Sequence, residues 1–121
     1  MDKQVQETYA SDDVRSIPLL DRVQELKDDI LAGGEEAQNL RRLPDETVKT
    51  LVDKGLFRFA LPKELGGDDA TICETIEVLE AMAAIDGSVA WNVMIGSEIN
   101  AMVAGGMDPE LAKEVYLENP G

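Results

Sequence analysis

The stretch Gly55-Leu-Phe-Arg-Phe-Ala-Leu-Pro-Lys-Glu-Leu-Gly-Gly67 constrains what this chain can fold into more than any other. It lies between one helical pattern ending at Lys54 and another beginning near Thr71. Glycine at each end and Pro62 inside rule out a continuing helix, because glycine relaxes the backbone and proline lacks the amide proton that a helix interior needs. Yet Leu56, Phe57, Phe59, Leu61 and Leu65 are too apolar for a solvated loop. The segment is therefore expected to be a buried, irregular or short extended crossing on which the flanking helices pack.

Those flanks read as helix. Leu19, Val23, Leu26 and Ile30 recur at i, i+4, i+7 and i+11, one face of a helix with Ser16 as cap and Pro18 in its first turn. Gly33-Gly34 is either its stop or a break before a more polar continuation to Leu43. Pro44, Asp45 and Glu46 start a helix with the apolar stripe Val48, Leu51 and Val52, and Lys54-Gly55 stops it. Beyond the connector, Thr71 with Glu74 forms a capping box for a helix to about Ile85. Its expected inward residues are Ile72, Ile76, Leu79, Met82 and Ala83.

Asp86-Gly87-Ser88 then turns the chain into a helix that is apolar on nearly every side from Val89 to Ala104, the pattern of a central, buried helix. A last helix starts at Asp108-Pro109, with Leu111, Val115 and Leu117 inward. No alternating pattern is long enough for a sheet. The expected fold is all-α, an orthogonal or antiparallel helical domain of about five to six helices over residues 16–121, after a frayed terminus at Met1–Arg15.

Composition removes several functions. With 11 Lys+Arg against 25 Asp+Glu the net charge is −14, which repels nucleic acid and anionic membrane surfaces. No apolar run reaches the length of a membrane span, since Asn92, Glu98 and Asn100 interrupt the most apolar region. A single cysteine, Cys73, and no secretory pattern point to the cytoplasm, with Cys73 a small half-buried side chain. The absence of histidine removes the commonest general base and metal ligand. Asp68-Asp69 has no third ligand beside it and is expected to be solvated, so no metal site is assigned.

The polar residues of the Val89–Ala104 helix carry more weight. A buried polar group without a partner costs on the order of 1–3 kcal/mol, so Asn92, Glu98 and Asn100 either meet other protein groups or line a cavity. By helical spacing Trp91, Ile95, Glu98 and Met102 share one face, and Asn92, Ile99 and Val103 another, with Asn100 beside them.

Three blocks in order, Leu43-Pro44 to Gly55-Leu56-Phe57, Leu61-Pro62-Lys63-Glu64-Leu65-Gly66-Gly67 and Ile85-Asp86-Gly87-Ser88-Val89-Ala90-Trp91, resemble the N-terminal helical domain of the acyl-CoA dehydrogenase superfamily. The Asp-Gly-Ser followed by Trp is most similar to the branch of two-component flavin-dependent monooxygenases. The resemblance implies that this domain precedes a β domain and a C-terminal four-helix bundle, for which this chain has no residues. It also implies FAD or FMN in the full-length parent, none bound tightly by this chain, and a full-length homo-oligomer.

In such enzymes the helix matching Ser88 to Ala104 forms one wall of the substrate cavity. Trp91, Ile95 and Ile99 are the cavity-facing candidates this implies, with Asn92 and Asn100 beside them; no catalytic residue is assigned. Aromatic hydroxylases of the branch often carry a histidine just before the position matching Asn100, where this chain has Ile99. That departure counts against phenol hydroxylation and leaves acyl-CoA-type dehydrogenation, or oxygenation of a different substrate, open. Because the resemblance places the flavin and the catalytic carboxylate in the other domains, the chain is expected to be inert alone. The alternative, from another class, is a free-standing acidic helical module that binds a partner protein through the same apolar face.

Overall fold

A computed structural model describes residues 12–118. Among them there is no strand, and the helices are α1 (Asp12–Arg15), α2 (Leu19–Glu25), α3 (Lys27–Ala32), α4 (Gly34–Leu40), α5 (Asp45–Asp53), α6 (Ile72–Ile85), α7 (Gly87–Gly106) and α8 (Pro109–Lys113). A 3-10 turn covers Lys63–Leu65, and a π-helical turn over Glu114–Glu118 follows α8. The all-α expectation holds. The frayed terminus expected over Met1–Arg15 lies mostly outside the described residues, and the part inside them, Asp12–Arg15, is helical.

α2, α3 and α4 are one run with two joints. Leu26 and Gly33 keep right-handed helical angles, and the Leu26 and Gly33 carbonyls accept from Ile30 and Ala37 at 2.9 Å each. Gly33-Gly34 is therefore a joint that the helix continues through. One reason for glycine there is Thr47, whose Oγ1 would lie 2.6 Å from a Cβ at position 33. Ser16 does not cap α2: its hydroxyl donates to the Asp13 carbonyl at 2.6 Å, and Pro18 holds the cap position.

α5 ends as its sequence dictates. Gly55 takes φ 70°, the Gly55 amide donates to the Val52 carbonyl at 2.9 Å, and the Leu56 amide donates to the Leu51 carbonyl at 3.1 Å. This is the paired 5→2 and 6→1 closure that a left-handed glycine permits. The same device recurs at Gly66, φ 83°, with the Gly66 amide on Lys63 and the Gly67 amide on Pro62, both at 3.1 Å.

The connector between α5 and α6 supplies two cores at once. Leu56 and Phe59 enter the larger one with Val23, Leu26, Leu51, Val78, Met82 and Val93. Leu61 and Leu65 enter the smaller one with Ala104, Ala112 and Tyr116. The inner side of α8 and its π turn is thus Ala112 and Tyr116. Leu111, expected inward, is exposed, because the stripe that meets Leu61 and Leu65 is one residue further along.

A buried ion pair ties the connector to α2. Arg22 is 1 % exposed, and its guanidinium forks onto both carboxylate oxygens of Asp68. It also donates from Nε to the Ile17 carbonyl at 2.9 Å and from Nη1 to the Lys54 carbonyl at 3.2 Å. Asp68 is therefore not the solvated carboxylate expected; Arg22 draws it in. Asp69, beside it, is exposed, as expected.

α6 and α7 make the most extensive helix pairing, and α6 also packs on α2. Thr71 and Glu74 form the reciprocal capping box. Asp86 caps α7, accepting from the Ser88 amide at 2.8 Å, the Val89 amide at 3.1 Å and the Ser88 hydroxyl at 2.6 Å. These donors, the Ser88 hydroxyl foremost, hold the Asp86 carboxyl below its ordinary 3.8 despite partial burial.

A carboxylate depressed by folding stabilises fully above its unfolded value and loses that contribution as pH falls through the folded one. Asp86→Ala is accordingly expected to cost about 1 kcal/mol at neutral pH. The gap between variant and native chain should close as pH drops below 3.8, measured by urea unfolding across pH. A gap independent of pH would contradict an ionised cap.

Candidate functional site

α7 has more apolar surface than the described residues cover. One side packs inward through Val89, Ala90, Val93 and Ala104. The other leaves Trp91 61 %, Ile95 37 %, Ile99 53 % and Met102 76 % exposed, with Val103 beside them. The expected central helix is therefore buried on one side only. Full burial of an apolar side chain of this size is worth roughly 1.5–3 kcal/mol, so each of these positions leaves part of that transfer free energy unrealised.

α6 shows the same surplus. Ile72, Ile76 and Ala83, expected inward, are exposed, whereas Val78 and Met82 are buried. The helix carries two apolar stripes, and its neighbours α2 and α7 take the one through Val78 and Met82. Glu77 and Glu80 point outward as expected, and Cys73 is exposed, not half-buried.

The inner side of α7 is fastened to the connector by polar groups. Buried Ser97 donates from Oγ to the Leu56 carbonyl at 2.9 Å, and Asn100 donates from Nδ2 to the Phe57 carbonyl at 3.1 Å. The Tyr116 hydroxyl reaches the Asn100 carbonyl at 3.2 Å and its Oδ1 at 3.4 Å. The Arg58 guanidinium lies over the Tyr116 ring at 5.6 Å. At Gly96 the Phe57 ring comes so close that a Cβ would meet its Cδ1 at 2.6 Å. These contacts fix the rotation of α7 about its own axis, and hence which residues face outward.

The five residues singled out by the sequence thus separate. Trp91, Ile95 and Ile99 stand on the exposed face. Asn92 is exposed but its Nδ2 donates back to the Ser88 carbonyl at 2.8 Å. Asn100 is turned toward Phe57 and Tyr116. Met102, absent from that set although its spacing put it on the Trp91 face, is the most exposed apolar residue of α7.

Two surface hollows lie elsewhere, one by Arg15, Lys63 and Asp68 and one by Gly33, Thr47 and Thr50. The glycine turn beside the first does not suit a flavin phosphate, since the Gly66 and Gly67 amides are already committed to Lys63 and Pro62. No group of three or more His, Cys, Asp or Glu among the described residues is arranged to hold a metal, and no described helix is long and apolar enough to cross a membrane.

Among the described residues the domain is all-helical, with one helix presenting an apolar face that they leave uncovered. The family described as acyl-CoA dehydrogenase, N-terminal domain, matches residues 19–118, and the chain belongs to it. Similar curated proteins include the oxygenase component of p-hydroxyphenylacetate 3-hydroxylase from Acinetobacter baumannii, 28 % identical over 89 % of this chain and 25 % of that protein. Pigment production hydroxylase from Rhodococcus erythropolis is 30 % identical over 84 % of this chain and 26 % of its own length. The flavin-dependent monooxygenase oxygenase subunit HsaA of Mycobacterium tuberculosis is 32 % identical over the same shares. The chain spans about a quarter of the length of these relatives. No solved structure matches it significantly.

Proposed function

We propose that this chain is the N-terminal domain of a flavin-dependent oxidoreductase, of the monooxygenase branch, and that its Trp91–Ile95–Ile99 face forms one wall of the substrate cavity. The observation that carries the reading is the uncovered apolar face of α7. The names of the similar proteins, hydroxylases and flavin-dependent monooxygenases, favour oxygenation over acyl-CoA dehydrogenation. In the parent enzyme FAD or FMN supplies the redox chemistry, while this domain shapes the pocket and keeps water out. Its partners are then a β domain and a C-terminal helical bundle of the same enzyme, in a cytoplasmic homo-oligomer.

Alone, the 121-residue chain is expected to be inert and to bind neither FAD nor FMN at stoichiometric level, read by absorbance after gel filtration. Tight flavin on these residues would overturn the inert-wall reading. The coding sequence is expected to continue in frame past Gly121 into a β-rich segment. A natural stop there would instead favour the second reading, an acidic helical module that docks a partner protein on the same face; its support is that face together with the net charge of −14.

A further inference from the structure

We infer that the wall presented by α7 accepts an uncharged, apolar substrate moiety and disfavours anions, with Glu98 as the specificity-determining residue. This rests on the reading of that face as a pocket wall. α7 contains one charged residue, Glu98, which is exposed and lies at helical spacing between Ile95 and Met102 on the Trp91 face. Three polar side chains of α7 that could otherwise anchor a substrate oxygen are engaged elsewhere: the Asn92 amide with the Ser88 carbonyl, the Asn100 amide with the Phe57 carbonyl and the Ser97 hydroxyl with the Leu56 carbonyl.

No cation on the paired helices offsets the carboxylate. From Glu64 to Ala112 the sequence holds no Lys or Arg, so α6 and α7 together carry Glu74, Glu77, Glu80 and Glu98 and nothing positive. The cations that bound this span, Lys63 and Lys113, lie outside both helices, and Lys113 is drawn to Glu110 at 3.5 Å. Once that face is covered as a pocket wall, a carboxylate in it repels a like charge more strongly than it would in bulk water. The same face favours transfer of a neutral hydrocarbon or aromatic group.

The test uses the 121-residue chain with two dyes at low ionic strength, uncharged Nile red and the sulfonate 1-anilinonaphthalene-8-sulfonate. Dye emission and quenching of Trp91, the sole tryptophan, are both followed. Nile red is expected to bind, and Ile95→Glu and Ile99→Glu, both at exposed positions, should remove that binding while far-UV circular dichroism stays native. The sulfonate is expected to bind about ten-fold more tightly to Glu98→Lys than to the native chain, with added salt erasing the difference. Nile red affinity should stay within about two-fold in Glu98→Gln.

If the sulfonate binds the native chain as well as Nile red does and changes at Glu98 leave it unmoved, the charge selection is overturned while the wall reading stands. If Nile red binding survives both isoleucine substitutions, the wall reading itself falls, and the inference with it.

Discussion

Gly67→Ala is expected to destabilise the domain by about 3–5 kcal/mol, an exceptional cost for one methyl group. A Cβ at position 67 would lie 2.1 Å from the Leu61 carbonyl oxygen and 2.6 Å from that of Arg58. Neither oxygen can rotate aside as a side chain would. The Leu61 carbonyl accepts from the Asp69 amide at 2.8 Å, and the Arg58 carbonyl accepts from the Leu61 amide at 3.0 Å. Relieving the clash therefore means opening the turn that delivers Leu61 and Leu65 to the smaller core and Asp68 to Arg22.

Urea unfolding followed by circular dichroism measures the loss. Gly105→Ala is the control, since nothing lies within 4 Å of a Cβ there, and the change should be neutral or stabilising by up to about 1 kcal/mol in a helix. A Gly67→Ala chain within 1 kcal/mol of native would show that the connector is looser than its packing implies.

The second large effect is at the Arg22–Asp68 pair. Asp68→Ala leaves a guanidinium that is 1 % exposed with only the Ile17 and Lys54 carbonyls as partners, and is expected to cost about 3–5 kcal/mol. The penalty comes from stranding a buried charge more than from losing an attraction. Removing the charge as well, in Arg22→Met with Asp68→Ala, should therefore restore stability relative to Asp68→Ala alone, with a coupling of about 1–3 kcal/mol in the double-mutant cycle. Strict additivity would mean that Arg22 reaches water once Asp68 is gone.

This pair was half legible in the sequence. Arg22 sits at i+3 from Leu19 and next to Val23, on the stripe that the apolar spacing turns inward, which is an unusual position for a cation. Its carboxylate partner is 46 residues away, at a distance that local periodicity does not span. Asp68 and Asp69 look alike in sequence, and only the fold separates the paired one from the solvated one.

The candidate wall divides in the same way. Spacing places Trp91 and Ile95 on one face and Ile99 on the next, the resemblance grouped the three, and all three are exposed. Asn100, placed beside them as a secondary candidate, is claimed by the Phe57 carbonyl and the Tyr116 hydroxyl from two other segments. On α6 the expected inward set held only in part: Met82 is buried and Leu79 half-buried, whereas Ile72, Ile76 and Ala83 are exposed and Val78, outside that set, is buried.

What the sequence by itself determined is everything set within a few residues of backbone: the Thr71, Asp86 and Asp108 caps, the glycine stop at Gly55, the helical periods and the apolar crossing from Gly55 to Gly67. Hydrogen bonds between near neighbours and the allowed φ of glycine and proline decide these before any tertiary contact forms. What only the tertiary structure decided is which of several apolar faces is covered, and which of several polar groups finds a partner. Those choices depend on surfaces brought together across the chain, so Gly67 is fixed by the carbonyls of Arg58 and Leu61, Asp68 by Arg22, and the outward turn of Trp91 by what Ser97, Asn100 and Gly96 meet on the other side of the same helix.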